Sequence, residues 1–130
     1  MIDTMMLVKY STAMRFPKGA AIINEGDTMP YSMYHILHGT VQVVKNFGKE
    51  DQTIITSLKK GDFFGEMSLF LLEPRAASVI AEEDVAVLEI NQTNVYEIIM
   101  QNPEMTYVLL KTLCSRLGTL NKRIHELTAS

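Results

Sequence analysis

Hydrophobic and polar residues change their spacing once along the chain, near Ile90. Before that point, short apolar runs rich in β-branched residues alternate with polar stretches: Ala20–Ile23, Met33–Leu37, Thr40–Val44, Thr53–Leu58, Ala77–Ala81 and Val85–Ile90. Runs of this length and composition are typical of β-strands. Glycines at positions 19, 26, 39, 48, 61 and 65 interrupt the runs. This pattern predicts an antiparallel barrel or sandwich.

Two of the predicted turns are specific enough to describe. Gly39 lies between two apolar runs, which predicts a tight hairpin turn there. Asn46-Phe47-Gly48-Lys49 is a polar stretch between the next two runs and predicts a loop of the same sort.

Beyond Ile90 the apolar spacing becomes helical. Asn91 can cap a short helix whose apolar residues share one face: Val95, Ile98 and Ile99. Asn102-Pro103-Glu104 predicts a second helix start, because Asn caps, Pro suits the first helical position, and Glu faces the positive end of the helix dipole. This helix is expected to run from Pro103 to about Glu126.

The second helix carries a seam of large aliphatic residues at steps of three and four: Leu110, Leu113, Leu117, Leu120, Ile124 and Leu127. Such spacing is that of a heptad repeat. Met105, Val108 and Leu109 form a second apolar face near the helix start, which can pack on the strands. We therefore predict a parallel homodimer through the seam, with the alternative that the helix only covers its own domain.

The segment Phe63–Val79 contains the candidate chemistry. Gly65 permits a close backbone approach, and Glu66–Leu69 can form one helical turn whose free N–H groups bind an anion. Arg75 can make a bidentate contact to a phosphate, and the Glu66 carboxylate can accept hydrogen bonds from sugar hydroxyls. These residues predict a pocket for an anionic group joined to a sugar. The alternative is a glycine turn with a surface Glu–Arg ion pair.

The same segment resembles the phosphate-binding cassette of cyclic nucleotide-binding domains, of the type found in catabolite activator protein and in kinase regulatory subunits. The matching residues are Phe64-Gly65-Glu66 and Pro74-Arg75-Ala76-Ala77-Ser78-Val79. Further motifs match the family in order: Phe16-Pro17-Lys18-Gly19, Glu25-Gly26-Asp27, Gly39-Thr40-Val41 and Gly61-Asp62-Phe63. The resemblance covers nearly the whole chain, and several spaced motifs are far more specific than one.

The resemblance implies a fold and a set of ligand contacts. The fold is an antiparallel β-roll (a double-stranded, jelly-roll-like β-helix) over about residues 11–90. A short helix and a long dimerisation helix follow over about 91–128, and residues 1–130 form a single domain. The implied ligand-binding residues are Phe64, Gly65, Glu66, Met67, Ser68, Arg75, Ala76, Ala77, Ser78, Leu120 and Asn121.

Within that set, the resemblance implies separate roles. Gly65 and the amides of Glu66 and Met67 face the cyclic phosphate, Glu66 binds the ribose 2′-hydroxyl, and Arg75 neutralises the phosphate. Ser78 faces either the ligand or a neighbouring strand.

The base is expected at the long helix. Leu120 and Asn121 occupy positions at which bacterial relatives contact adenine, but Leu120 departs from the polar pattern, so its contact is expected to be apolar. Asn121 either reaches the base or is solvated. Ala76 stands where relatives selective for cyclic GMP often have Thr, which favours cyclic AMP and leaves cyclic GMP or a larger cyclic nucleotide open.

Composition narrows the classes of protein to which the chain can belong. The chain has 130 residues and a net charge of −3, which fits one domain and disfavours non-specific nucleic-acid binding. It has one cysteine, so no internal disulfide forms, and no secretory signal or membrane span is recognisable. We therefore expect a cytoplasmic protein. His35 and His38 are interpreted as surface or turn residues, and Lys122-Arg123 as solvated. Neither a metal site nor catalytic residues are expected.

Three functional hypotheses follow. The first is a cyclic-nucleotide sensor without catalysis, in which ligand binding repositions the helix after Asn102 and signals to an unknown downstream partner. The second is a ligand-free interaction or dimerisation module. The third is the sensor fragment of a transcription regulator, because relatives place a helix-turn-helix where this sequence stops, so no direct DNA binding by these residues is expected. Intact Gly65, Glu66 and Arg75 favour the first, and a stand-alone sensor is slightly preferred to a fragment.

Overall fold

Two four-stranded antiparallel sheets form the body of the molecule. A computed structural model describes residue 9 and residues 11–128. Its strands are β1 Thr12–Phe16, β2 Ala21–Ile23, β3 Ser32–His38, β4 Thr40–Lys45, β5 Thr53–Lys59, β6 Phe63–Phe64, β7 Ser78–Ala81 and β8 Val85–Asn91. One sheet has the order β1-β8-β3-β6 and the other β2-β7-β4-β5. The predicted antiparallel β-roll is confirmed.

The turn at Gly39 differs from the predicted hairpin. β3 pairs with β6 and β8, whereas β4 pairs with β5 and β7, so Gly39 carries the chain from one sheet to the other. Gly39 has a φ of 89°, and a Cβ there would lie 2.7 Å from the carbonyl oxygen of Asp84. Glycine is required by this close approach as well as by the positive φ. The other predicted loop does join a hairpin, because β4 and β5 pair across residues 46–52.

Two apolar clusters hold the layers together. The first lies between the two sheets and contains Tyr34, Ile36, Val41, Phe64 and Val87 among its buried members. The second lies between one sheet and the helices. Alternating strand residues divide between the clusters, because successive side chains of a strand point to opposite faces. β3 shows this directly, since Met33 belongs to the second cluster and Tyr34 to the first.

Within residues 11–128 there are three helices: α1 Glu66–Leu71, α2 Gln92–Gln101 and α3 Pro103–Thr128. Asn91 caps α2 as predicted, accepting hydrogen bonds from the amides of Thr93 and Asn94. The Asn102 side chain accepts from the Met105 amide at 3.1 Å, so the predicted start of α3 is confirmed. α3 ends two residues beyond the expected end.

The helices dock through the faces that the sequence indicates. Ile98 of α2 and Met105 and Leu109 of α3 are buried in the second cluster, and Val95, Ile99 and Leu113 pack against it. Within the part of the chain that the structure describes, no helix is long and apolar enough to cross a bilayer.

His35 is not the surface residue that was predicted. It is 6% exposed, its ring lies 4.5 Å from that of Phe63, and its Nδ1 atom has no hydrogen-bond partner among the described residues. Burial lowers the pKa of His35, an effect that the nearby Asp62 carboxylate opposes. The prediction failed because a lone His in an apolar run can be buried neutral as readily as exposed. His38, at the end of the same strand, is exposed as expected.

Candidate functional site

The candidate site is built around the start of α1. β6 ends at Phe64, and Gly65 then adopts a left-handed conformation with a φ of 83° before α1 begins at Glu66. A Cβ at Gly65 would lie 2.9 Å from both Arg75 Nη1 and the Ser32 carbonyl oxygen. Glycine is therefore needed because Arg75 and β3 occupy the space beside it.

Arg75 is buried and held by main-chain carbonyls. Its Nη1 donates to the carbonyl of Gly65 at 3.1 Å and its Nη2 to the carbonyl of Pro30 at 2.7 Å. Burial lowers the pKa of Arg75, while Tyr34, Asp27 and Glu89 raise it. A guanidinium in a protein stays protonated, so the site contains a fixed buried cation. Its five N–H groups exceed the two used here.

The main chain of Arg75 is fixed as well. Its amide donates to the carbonyl of Asp27 at 2.9 Å, and its carbonyl accepts from the amide of Gly26 at 2.8 Å. The loop between β2 and β3 therefore holds this residue in register before β7 begins at Ser78.

Glu66 is buried beside a helical arginine. It is 5% exposed, and its Oε1 atom forms an ion pair with Arg116 Nη1 from α3. The other guanidinium nitrogen of Arg116 donates to the carbonyl of Phe63 at 3.1 Å. Glu66 Oε2 has no hydrogen-bond partner among the described residues. A buried carboxylate oxygen without a partner is costly, so this atom is suited to accept a ligand hydroxyl.

These residues face a cavity of about 510 Å³, which is lined by the cassette, the β2-β7-β4-β5 sheet and α3. Nine of the eleven predicted ligand residues line it: Phe64, Gly65, Glu66, Met67, Ser68, Arg75, Ala76, Ala77 and Leu120. Ser78 and Asn121 are not among its lining residues. The Ser78 hydroxyl instead accepts a hydrogen bond at 3.0 Å from the amide of Glu25, in the loop after β2.

Arg116 was not among the predicted site residues and Arg123 was predicted to be solvated, yet both line the cavity. With Leu120, they follow each other at steps of four and three on α3, which places them on one helix face. The same face continues Met105 and Leu109, which are buried. Extending that buried face toward the C-terminus would have pointed to both arginines.

The predicted dimer seam divides into two sets. Leu110, Leu117, Ile124 and Leu127 are exposed, each by more than half. Leu113 packs on its own core, and Leu120 lines the cavity although it is also half exposed. The seam thus contains residues directed at this chain as well as residues free to meet a partner.

The family model for the cyclic nucleotide-binding domain matches residues 13–102. The chain belongs to the cyclic nucleotide-binding domain family. That match covers the β-roll apart from the first residue of β1, and it includes the cassette and α2, so the resemblance drawn from the spaced motifs is confirmed.

Named relatives of this cyclic nucleotide-binding domain are regulators. It is 40% identical over 81 residues to a cAMP-dependent protein kinase regulatory subunit of Aspergillus niger, covering 62% of this chain and 18% of the relative. It is 26% identical over 121 residues to a CRP-like cAMP-activated global transcriptional regulator of Mycobacterium tuberculosis, covering 93% and 54%. The chain thus spans about half or less of these relatives.

A solved structure shares the fold. The catabolite activator protein of Thermus thermophilus superposes with a TM-score of 0.84 at 26% identity, covering 96% of this chain and 58% of that one. The β-roll and the helices that follow it are therefore common to both proteins.

Proposed function

We propose that this domain binds one cyclic nucleotide, preferentially cyclic AMP, in the cavity beside α1, and that it is a sensor without a catalytic step. The observation that carries the proposal is the pairing of Arg75 and Glu66, a buried cation and a buried carboxylate on one cavity. Family membership and the cAMP-dependent relatives support it.

The phosphate end is assigned to Arg75 and the first amides of α1. Arg75 has N–H groups beyond those that hold Gly65 and Pro30. The amides of Glu66 and Met67 lie at the start of α1, where N–H groups lack intrahelical partners. Among the described residues, the charged side chains that line the cavity are three arginines and one carboxylate: Arg75, Arg116, Arg123 and Glu66. This balance favours an anionic ligand.

The sugar end is assigned to Glu66. Its Oε2 atom lacks a partner in the described part of the chain, whereas Oε1 is engaged by Arg116. A ribose 2′-hydroxyl donated to Oε2 would satisfy a buried acceptor, which favours a ribonucleotide.

The base end is assigned to α3. Leu120 lines the cavity and offers an apolar surface to a purine. Ala76 also lines it and carries no hydroxyl to meet the guanine amino group. The preference for cyclic AMP rests on Ala76 and on the relatives' names. Asn121, outside the lining, is proposed as a contact only if α3 rotates on binding.

Ligand binding is proposed to reach α3 through Arg116. This side chain joins Glu66, the residue proposed to bind the sugar, to Phe63, the first residue of β6. A ribose hydroxyl on Glu66 changes the electrostatic environment of Arg116, and a ligand shifts a helix position only through such differential contacts. The exposed Leu110, Leu117 and Ile124 then form the proposed homodimer contact, which a moving α3 would alter.

Calorimetric titration with cyclic AMP and with cyclic GMP tests the proposal. We expect one site per chain, tighter for cyclic AMP, and at least a hundredfold weaker in Arg75→Ala, because a buried phosphate loses its charge partner. Arg15→Ala, an exposed arginine of β1, removes the same charge and should bind as wild type. If folded, nucleotide-free protein bound neither compound, the interaction-module hypothesis would replace this one.

A further inference from the structure

Lys45 contacts the cassette at the edge of the cavity, and none of the proposed ligand contacts involves it. Lys45 is the last residue of β4, and its Nζ donates to the carbonyl oxygen of Ala76 at 2.7 Å. Ala76 lines the cavity and directly follows Arg75, whereas Lys45 is not among the lining residues. The lysine therefore acts on the cassette from outside the cavity.

A second contact fixes the other side of Ala76. The carbonyl of Arg75 accepts from the Gly26 amide at 2.8 Å. Both peptide groups that flank Ala76 are thus held by their carbonyl oxygens. Because peptide groups are planar, two fixed planes fix both backbone dihedral angles of Ala76. The amide N–H of Ala76 consequently points away from Gly26 in a set direction.

Lys45 is itself anchored. Its Nζ lies 3.3 Å from Glu25 Oε2, and Glu25 Oε1 accepts from the Asn46 amide at 2.9 Å. The hydrogen bond from Asn46 lowers the pKa of Glu25, which favours its charged form. The amide of Glu25 in turn donates to the Ser78 hydroxyl. Residues 75, 76 and 78 of the cassette are thus each hydrogen-bonded to Lys45 or to the loop that follows β2.

We propose that Lys45 is a positioning residue for the phosphate of the bound nucleotide. By holding the Ala76 carbonyl it fixes the peptide group between Ala76 and Ala77. Together with the hydrogen bond from Gly26 to the Arg75 carbonyl, it presets the conformation of Ala76 before the ligand arrives, and such preorganisation raises affinity. The inference rests on the proposed function. It differs from a general attraction between the ammonium and an anionic ligand, because exposed charges are screened by salt whereas a preset backbone is not.

The test compares ligand affinity in matched variants. Lys45→Met removes the donor, Lys45→Arg keeps a charged donor, and Lys49→Met removes the same charge from the following hairpin loop. Each is titrated with cyclic AMP and cyclic GMP at about 0.1 M and about 1 M salt, where the Debye length falls from about 10 to about 3 Å. Thermal unfolding of each ligand-free variant reports whether the fold is intact.

We expect Lys45→Met to bind about tenfold more weakly at both salt concentrations. The factor should be the same for both nucleotides, because they share the phosphate end. Lys45→Arg should stay within about threefold of wild type, and Glu25→Gln should show a smaller loss in the same direction. The proposal is overturned if Lys45→Met binds as wild type, if its loss disappears at about 1 M salt, or if Lys49→Met loses as much. Absence of binding by the wild type would instead refute the proposed function, and this inference with it.

Discussion

Replacing Gly65 with alanine should damage stability and ligand binding together. Gly65 has a φ of 83°, a conformation that costs an L-residue about 1–2 kcal/mol. Its new Cβ would also lie 2.9 Å from Arg75 Nη1 and from the Ser32 carbonyl oxygen. Crowding of this kind costs a further 1–3 kcal/mol, approximately. The expected loss is about 2–5 kcal/mol in the free energy of unfolding, measured by urea denaturation.

Two other glycines separate the causes. Gly61 has a φ of 95° and nothing within 4 Å of a Cβ, so Gly61→Ala should cost only the backbone share, about 1–2 kcal/mol. Gly39→Ala would be crowded by Asp84 and Val85, away from the cavity. Its free energy of unfolding should fall as much as that of Gly65→Ala. The folded fraction of Gly39→Ala should nevertheless bind the nucleotide with wild-type affinity.

Binding provides the second readout. Gly65→Ala must displace the Arg75 guanidinium or β3, so cyclic AMP should bind at least tenfold more weakly in calorimetric titration. The reasoning would be refuted if Gly65→Ala were no less stable than Gly61→Ala and bound the nucleotide with wild-type affinity. That result would mean that the close approach of Arg75 to Gly65 is not maintained.

Further predictions concern the core and α3. The contribution of His35 to stability should be constant above about pH 6.5 and should decrease as the pH falls from there to the folded-state pKa of His35, which burial lowers. The reason is that in this range the unfolded chain takes up a proton that the buried imidazole resists. The urea midpoint of His35→Phe should lose this pH dependence, and that of His38→Gln should keep it. Leu117→Glu should give monomers in sedimentation, whereas Ser115→Glu, on the opposite face of α3, should not; an unchanged assembly in both would exclude the seam. Arg116→Met should lower stability by about 1–2 kcal/mol and abolish the change in hydrogen exchange of α3 on adding cyclic AMP; retention of that change would contradict the coupling route.

Local features of the fold could be predicted from the sequence because they depend on neighbours in the chain. Asn91 and Asn102 mark helix starts, since a cap acts on amides two or three residues away. Strand positions followed from β-branched runs. β1 was not among the predicted runs because most of its residues are exposed, and β6 because it has only two residues.

Pairing could not be predicted in the same way. The turn at Gly39 looks like a hairpin locally, but the partners of β3 and β4 lie far along the chain. Likewise, the residues Gly65, Glu66 and Arg75 could be selected from one segment, whereas the ion-pair partner of Glu66 could not. Arg116 is separated from it by 50 residues, and only the docking of α3 brings them together.

The reason for Gly65 also changed with the structure. The sequence suggested that glycine lets a ligand approach the backbone, but the space beside Gly65 belongs to Arg75 and Ser32. Gly65 was placed correctly in the cassette. Its contact with Arg75 and Ser32 could not be foreseen, because the absence of a side chain does not indicate which atoms occupy the space beside it.

The proposed movement of α3 would be amplified along the length of the helix. Its first turns are fixed in the core by Met105 and Leu109, and Arg116 is its attachment to the cassette. From Arg116 to Thr128 the helix extends about 18 Å at the usual rise per residue. A tilt of about 10° at Arg116 would therefore move the far end by about 3 Å. The displacement available to any attached partner grows with the number of turns beyond Arg116, and one added turn would enlarge it by about a third.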